Sequence, residues 1–371
     1  MSSIIQIVPR RAIEPEGVGD YARLIAERLF EYHGIRTIFV TGSPLPPDQR
    51  LHDAWETHEL PDRAAKTLAA MLERIGGSEQ MPILLHLSGY GYQRKGTPFW
   101  LAKGLERWRR GSPNTPLVTV FHEIHATGAV TGSAFWLAPF QRQIARRILR
   151  ISTAAVTTMA RYGAMLGTWT RRSQPPISVC PVFSTIGESD DDAVPMRRAP
   201  ILAVFGRGNM AETLYGRDRS VLEAFIVREK IEAIIDIGKR PTPVPEVVAG
   251  IPVEPLGEAP AATIRSRLIA ARFGMMHYNA DFLAKSSIFA AYCAFGVIPV
   301  CLSESDGSID GVQPGKTYLK LGAASLPMVL DPSTLDTLQA AAHEWYMPHS
   351  LGPTVRIIHD ALQGRPIARV S

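Results

Sequence analysis

Short runs of Val, Ile and Leu alternate with segments of helical periodicity along the whole chain, and the alternation restarts once near residue 200. Continuous apolar strands separated by amphipathic helices predict a parallel sheet covered on both faces. The first round reads as strands Ile4–Val8, Arg36–Val40, Ile83–Leu87, Leu117–Phe121, Ala154–Thr157 and Ile177–Val182. Helices are expected at Val18–His33, Pro61–Ile75, Pro98–Arg110, Ala134–Arg150 and Met159–Leu166. The second round has strands Ile201–Phe205, Ala233–Ile237, Ile251–Val253, Arg272–Tyr278 and Val297–Cys301. Its helices are Arg217–Glu229, Ala261–Ala270, Ala284–Gly296, Leu335–Tyr346 and Pro353–Leu362.

The fold class this predicts is α/β, with two doubly wound parallel-sheet (Rossmann-like) domains facing across a cleft. Residues 1–183 form the first domain and the charged, proline-bearing stretch 184–199 the linker. Residues 200–352 form the second domain. The C-terminal helix and tail, 353–371, could pack back on the first. A length of 371 residues suits two full cores. No run of about 18 apolar residues marks a membrane span, and no signal peptide is apparent. Cys180, Cys293 and Cys301 fit no metal spacing and read as buried thiols of a reducing cytoplasm.

Ligands of doubly wound sheets bind at the C-terminal ends of the strands, so candidate chemistry is sought there. After the first strand comes Gly17-Val-Gly19-Asp20-Tyr21. Its glycines permit close backbone approach, and Asp20 is placed to cap the helix. The third glycine of a dinucleotide fingerprint is missing. After a later strand come His122-Glu123-Ile-His125, where a histidine can orient or deprotonate a hydroxyl. The spacing is not that of a zinc helix, so no metal is assigned. In the second half, Gly206-Arg207-Gly208-Asn209 follows Ile201–Phe205. Arg207 there suits a diphosphate, or else a surface ion pair. Tyr278 ends a strand, and Lys285-Ser286-Ser287 opens a helix whose dipole favours an anion. A plain serine cap with a solvated lysine is the alternative.

Charge is uneven. Residues 1–183 hold 22 Lys/Arg against 14 Asp/Glu, and the remainder 18 against 21. Ten basic residues lie between Arg94 and Arg150, where the only acids are Glu106 and Glu123. The helices Pro98–Arg110 and Ala134–Arg150 mix Trp and Phe with Arg, which suits an anionic membrane surface or simply a solvated basic face. No nucleic-acid-binding signature accompanies the charge.

Four short motifs in order resemble the GT-B glycosyltransferases, in particular the retaining family 4. They are the Gly17–Ala22 loop, His122-Glu123, Phe205-Gly206-Arg207, and Ala294-Phe-Gly296-Val-Ile-Pro299-Val300. The resemblance spans nearly the whole chain in architecture. It implies a metal-independent, retaining transfer of a sugar from a nucleoside-diphosphate sugar to a lipid-linked or polysaccharide acceptor. Such a protein would work in cell-surface polysaccharide synthesis, in the cytoplasm or at the inner face of the membrane. No cofactor beyond the substrate nucleotide sugar is implied. Arg207, Asn209, Arg217, Tyr278, Lys285, Ser286 and Ser287 would bind the donor. Gly17, Gly19, Asp20, Tyr21, His122 and Glu123 would bind the acceptor, and His122, Lys285 and Arg207 would carry the chemistry.

Two departures stand out. The family's Glu-x7-Glu pair falls on Leu283–Ala284 and Ala291–Tyr292, and its Lys-Gly is replaced by Tyr215-Gly216-Arg217. A catalytically degenerate scaffold that binds a nucleotide sugar or a partner is the alternative, and a sugar epimerase on the same fold is a third.

Overall fold

The computed structural model describes residues 2–11, 16–51, 53–77, 80–125, 133–170, 175–188, 198–206, 212–305, 307–322 and 331–367. The chain divides into two compact units, Met1–Pro181 with Leu351–Ser371, and Val182–Ser350.

The first unit is a seven-stranded parallel sheet ordered β3-β2-β1-β4-β5-β6-β7. Its strands are β1 (Ser3–Val8), β2 (Arg36–Thr41), β3 (Glu56–Glu59), β4 (Ile83–Leu87), β5 (Leu117–Phe121), β6 (Ala154–Thr157) and β7 (Ile177–Val179). The helices are α1 (Gly17–His33), α2 (Ala65–Gly76), the single turn α3 (Gly89–Tyr92), α4 (Phe99–Gly111), α5 (Ser133–Ile151) and α6 (Ala160–Trp169). Strands β4 and β5 are buried at every position, as continuous apolar runs require. β3 escapes sequence reading because Glu-Thr-His-Glu is polar on both faces, which an edge strand tolerates.

The second unit repeats the plan. Its sheet runs β10-β11-β9-β8-β12-β13-β14, all parallel except the short β10–β11 pair. Here β8 is Ile201–Phe205, β9 Ala233–Ile237, β10 Val247–Val248, β11 Ile251–Gly257, β12 Phe273–His277, β13 Ile298–Leu302 and β14 Leu319–Leu321. The helices are α7 (Arg219–Arg228), α8 (Ala261–Ala270), α9 (Ser287–Ala294) and α10 (Pro332–Tyr346). The core packs Val204, Phe225, Phe273, Met275, Val300 and Leu338 together.

Several expected boundaries move for local reasons. α7 begins at Arg219 rather than Arg217, because Thr213–Arg217 form a wide turn in which Asp218 N donates to Thr213 O. α9 stops at Ala294, where Phe295 caps it and Gly296 turns the chain at φ +60°. The described ends of the stretch 184–199 are tied into the second unit. Ser184 N donates to the Tyr346 hydroxyl, and Tyr346 in turn bonds Glu188. Arg198 caps two helix ends through the carbonyls of Leu268, Ala271 and Phe295. The final helix α11 (Leu351–Leu362) belongs to the first unit, where it packs on α1 and β5.

Candidate functional site

In each unit the strand order reverses beside the first strand, between β1 and β4 and between β8 and β12. Such switch points open a crevice at the carboxyl ends of the strands.

In the first unit the loop after β1 reaches α1 through Glu16. Its carboxylate caps the helix, accepting from Gly19 N at 2.6 Å, while Asp20 accepts from Glu16 N at 3.0 Å. The cap is therefore Glu16, and Asp20 closes a reciprocal pair in place of the capping role the sequence suggested. Burial raises the pKa of the Glu16 carboxyl, opposed by the Gly19 bond. At Gly19 a Cβ would be tight, 3.0 Å from Glu16 Oε2 and 3.2 Å from Arg10 O, so both would have to shift slightly. Gly17 meets nothing. Tyr21 is buried, and its ring stands edge-on to His122 at 4.9 Å and to His86 at 5.9 Å. It braces the histidines from within the core and is no surface contact for an acceptor.

His122 follows β5 and ends a buried polar chain. Gln6 Nε2 donates to Thr37 Oγ1 at 3.3 Å, which turns the Gln6 carbonyl oxygen toward His86 Nε2 at 2.9 Å. His86 Nε2 must then carry the proton, leaving His86 Nδ1 to accept from His122 Nε2 at 3.2 Å. The chain fixes His122 in the Nε2–H tautomer and makes its Nδ1 the proton-accepting atom. Burial, with the His122 neighbour adding to it, holds the His86 pKa well below the ordinary histidine range. His86 thus stays neutral and orients its partner. The sequence offered no sign of this, because Gln6 and His86 sit inside apolar strands. Beside His122, Glu123 is half-buried and borders a small crevice with Leu87, Tyr90 and Gln141. His125 bonds Arg142 at 2.9 Å, a local structural contact.

In the second unit, Arg207 and Asn209 lie outside the described residues. The backbone that launches them is held firmly. Arg240 donates to the carbonyls of Gly206, Val204 and Ile237 and forms a two-pronged pair with Asp236 at 2.8 and 3.1 Å. Asp236 also accepts from the Tyr215 hydroxyl at 2.9 Å. Gly238 holds φ +116°, and a Cβ there would lie 2.0 Å from Gly206 O. Sequence reading missed this Asp236-Ile-Gly-Lys-Arg240 cluster. Its only signal was a glycine and paired charges directly after a strand. A cavity of about 520 Å³ opens beside it at the ends of β9 and β11, lined by Gly238, Arg240, Pro241, Pro243 and Glu258.

Arg217 reaches the end of β12, with its guanidinium 2.9 Å from His277 Nε2 and 3.0 Å from Asp218. Tyr278 N donates to Leu302 O, anchoring that strand end to β13. Lys285 is half-buried and closes the turn Ala280–Lys285, two residues before the start of α9. Ser286 is the helix cap, with its hydroxyl accepting from Phe289 N at 3.2 Å. That hydroxyl still has its own O–H to donate, and Ser287 stands in the first turn. The Glu-x7-Glu places are buried and apolar at Leu283, Ala284 and Ala291. At Tyr292 the hydroxyl accepts from Phe205 N and bonds the carbonyls of Ala203 and Met275, stitching β8 to β12.

The two basic helices differ. In α4, Trp108 is buried, Trp100 packs on Tyr92, and Arg109 holds the carbonyls of Ser112, Pro113, Thr115 and Ile151. Trp108 faces the core and Phe99 and Trp100 are half-buried, so α4 presents no aromatic residue as exposed as those of α5. In α5, Phe135, Trp136 and Phe140 are 45%, 68% and 50% exposed. Arg142, Arg146 and Arg150 continue the same exposed side. Among the described residues no helix is long and apolar enough to cross a membrane, and no cluster of three His, Cys, Asp or Glu could hold a metal.

Two Rossmann-like sheets in one chain are the GT-B class of fold. The chain is similar over nearly its whole length to several solved structures. With TarM the TM-score is 0.65 at 9% identity, covering 98% of this chain and 99% of that one. With an alpha-glucosyltransferase in complex with UDP and a 13-mer DNA the TM-score is 0.56 at 12% identity, covering 97% and 99%. With a putative UDP-N-acetylglucosamine 2-epimerase from Listeria monocytogenes it is 0.54 at 13% identity, covering 100% and 99%. No protein-family model and no curated protein sequence matches the chain. At these identities the similarity establishes the fold.

Proposed function

We propose that this chain is a metal-independent glycosyltransferase using a nucleoside-diphosphate sugar, with UDP as the first nucleotide to test. The observation that carries the reading is the buried chain Thr37–Gln6–His86–His122, which makes His122 Nδ1 a proton acceptor at the end of β5. A fixed tautomer leaves one defined ring nitrogen to take a proton, as a general base requires. In the reaction, an acceptor hydroxyl forms the new bond to the anomeric carbon as its proton passes to His122. The bond from that carbon to the diphosphate breaks. Lys285, Arg217 and the α9 N-terminus take up the charge on the departing nucleoside diphosphate. Arg207 and Asn209, launched from the clamped Gly206, belong to the same donor site, and the cavity beside Arg240 suits the nucleoside. Retention, which the family-4 resemblance implies, requires the hydroxyl to attack from the same face that the diphosphate leaves, whereas attack from the opposite face would invert the anomeric carbon.

The acceptor we infer is a lipid-linked or polysaccharide chain, presented at an anionic membrane surface. The exposed aromatics and arginines of α5 support that surface. A second reading, a nucleotide-sugar-binding scaffold without turnover, is favoured by the buried apolar side chains where the family carries its glutamates.

Metal-free calorimetric titration with UDP, GDP and ADP tests the proposal. Selective binding of one diphosphate, weakened about tenfold or more by Lys285→Ala, is expected. Unchanged binding in that variant would refute the donor site. Binding without hydrolysis or transfer of any sugar nucleotide would select the scaffold.

A further inference from the structure

The first unit departs from a fully covered sheet at one place. In a right-handed parallel sheet ordered β3-β2-β1, the crossovers from β1 to β2 and from β2 to β3 pass over the same face. The first crossover carries α1. Among the described residues the second carries only the single turn Pro47–Gln49. The face of β2 beside α1 therefore lacks a second covering helix. A cavity of about 830 Å³ occupies that place, between α1 and Leu51, Asp53, Trp55 and Glu56, with Thr37 and Ile38 of β2 beneath it. That volume lies within the roughly 300–1,000 Å³ of small-molecule sites.

Its walls have a definite chemistry. Phe30 and Trp55 meet edge to face at 6.1 Å, and Phe30 is 47% exposed. Trp55 is seated against the buried Phe39 ring at 6.4 Å. Its segment is anchored by Arg11, which stacks on Phe39 at 4.0 Å, pairs with Asp53 and donates to Thr57 at 2.6 Å. The aromatic wall is therefore pre-formed. Four carboxylates, Asp20, Glu27, Asp53 and Glu56, line the cavity with the guanidiniums of Arg23 and Arg36, and Arg23 pairs with Glu27 as Arg11 does with Asp53, leaving an excess of one carboxylate. That balance is acidic, within a half of the chain that is otherwise basic. It disfavours a phosphate, a nucleic acid or an anionic lipid headgroup. Sugar hydroxyls each donate and accept, so they match carboxylates and guanidiniums together, and the apolar face of a pyranose ring packs on an indole. From Asp20 to Phe30 the helix rises about 15 Å, enough for several linked sugar rings.

The geometry points to this cavity as a binding groove for a neutral oligosaccharide, the body of the acceptor chain in the proposed transfer. Its role as acceptor groove rests on the transferase reading. Its sugar-binding chemistry does not.

The test is titration of the full chain with maltotriose, cellotriose and tri-N-acetylchitotriose, without nucleotide, alongside UDP titration of the same samples. At least one trisaccharide should bind. Trp55→Ala should weaken it about tenfold or more, as truncating an aromatic anchor does, while Trp55→Phe retains most of it. Glu27→Gln, which leaves the helix intact, should weaken it several-fold and serves if Trp55→Ala does not fold. UDP affinity should not move in any of these variants. Failure of all three sugars to bind at millimolar concentration would overturn the groove, as would binding indifferent to both Trp55→Ala and Glu27→Gln. Capture of an octalysine peptide in place of any sugar would show a cationic-peptide site and also overturn it. Sugar binding without binding of any nucleoside diphosphate would leave the groove standing and remove the transferase reading instead.

Discussion

Replacing Asp236 by alanine tests how the second unit holds the strand end from which Arg207 departs. The Asp236 and Arg240 side chains are 2% and 7% exposed, so their ion pair lies in the interior. Removing one partner of such a pair leaves an uncompensated buried charge and costs about 3–5 kcal/mol. The Tyr215 hydroxyl loses its acceptor as well, adding about 1 kcal/mol. Against this, Arg240 keeps the carbonyls of Gly206, Val204 and Ile237. The expected loss is therefore about 3 kcal/mol, a large share of the roughly 5–15 kcal/mol that holds a domain folded. With a urea slope of about 2 kcal/mol per molar, the midpoint should fall by about 1.5 M. Hydrogen exchange of peptides from β8 and β9 would assign the loss to this unit. Asp236→Asn keeps an acceptor for Tyr215 and should lose less. The double variant Asp236→Leu/Arg240→Met removes both charges and should recover much of the loss. A midpoint shift below about 0.3 M for Asp236→Ala, or a double variant as weak as the single, would refute the reasoning.

Three further outcomes follow from named contacts. Gly274→Ala would place a Cβ 2.5 Å from the Tyr292 ring, so a loss of about 1–3 kcal/mol is expected in thermal melts, relieved by Tyr292→Leu but not by Tyr292→Phe. Burial lowers the pKa of His349 to about 4 and that of His86 well below its ordinary 6.5. As pH falls through 6.5 the unfolded chain therefore binds protons that the fold refuses. Stability present above that pH should drain away toward pH 4, by about 3 kcal/mol from His349 alone, and equal urea midpoints at pH 7 and pH 4.5 would contradict this. Trp136→Ser should leave stability within about 0.5 kcal/mol yet lower co-sedimentation with phosphatidylglycerol vesicles about fivefold, and undiminished sedimentation would dismiss α5 as a membrane contact.

Strand and helix alternation was legible because buried parallel strands write themselves as apolar runs. Ile201–Phe205, Ala233–Ile237 and Ala261–Ala270 lie where their patterns place them. What failed to show was polar or short: β3 exposes both faces, while β10 and β14 are only two and three residues long. For the site, strand-end motifs pointed to His122 and Lys285 and the family resemblance to Arg217, whose surroundings only the structure supplies. The groups that orient them were hidden for one physical reason. A polar residue satisfied inside the core, such as Gln6 and His86 in their strands or Tyr292 in α9, looks in sequence like an interruption of that core. Its partners come from distant strands. Helix periodicity also left α4 and α5 indistinguishable, although one turns its tryptophan inward and the other outward.

The assignment of α11 to the first unit has a consequence for how the protein is made. Between Pro181 and Leu351 lie 169 residues, all of them in the other unit. At about 5–20 residues per second, a ribosome needs roughly 10–35 seconds to cross that interval. During that time the nascent first unit is short of Val355, Ile358 and Leu362, which the finished fold buries. The patch of α1 and β5 that awaits them is open to chaperones and to wrong partners. A chain released early, before Leu351, would carry an intact second unit beside a first one with an unfilled flank. The amino-terminal half is thus completed only after the second unit has been made.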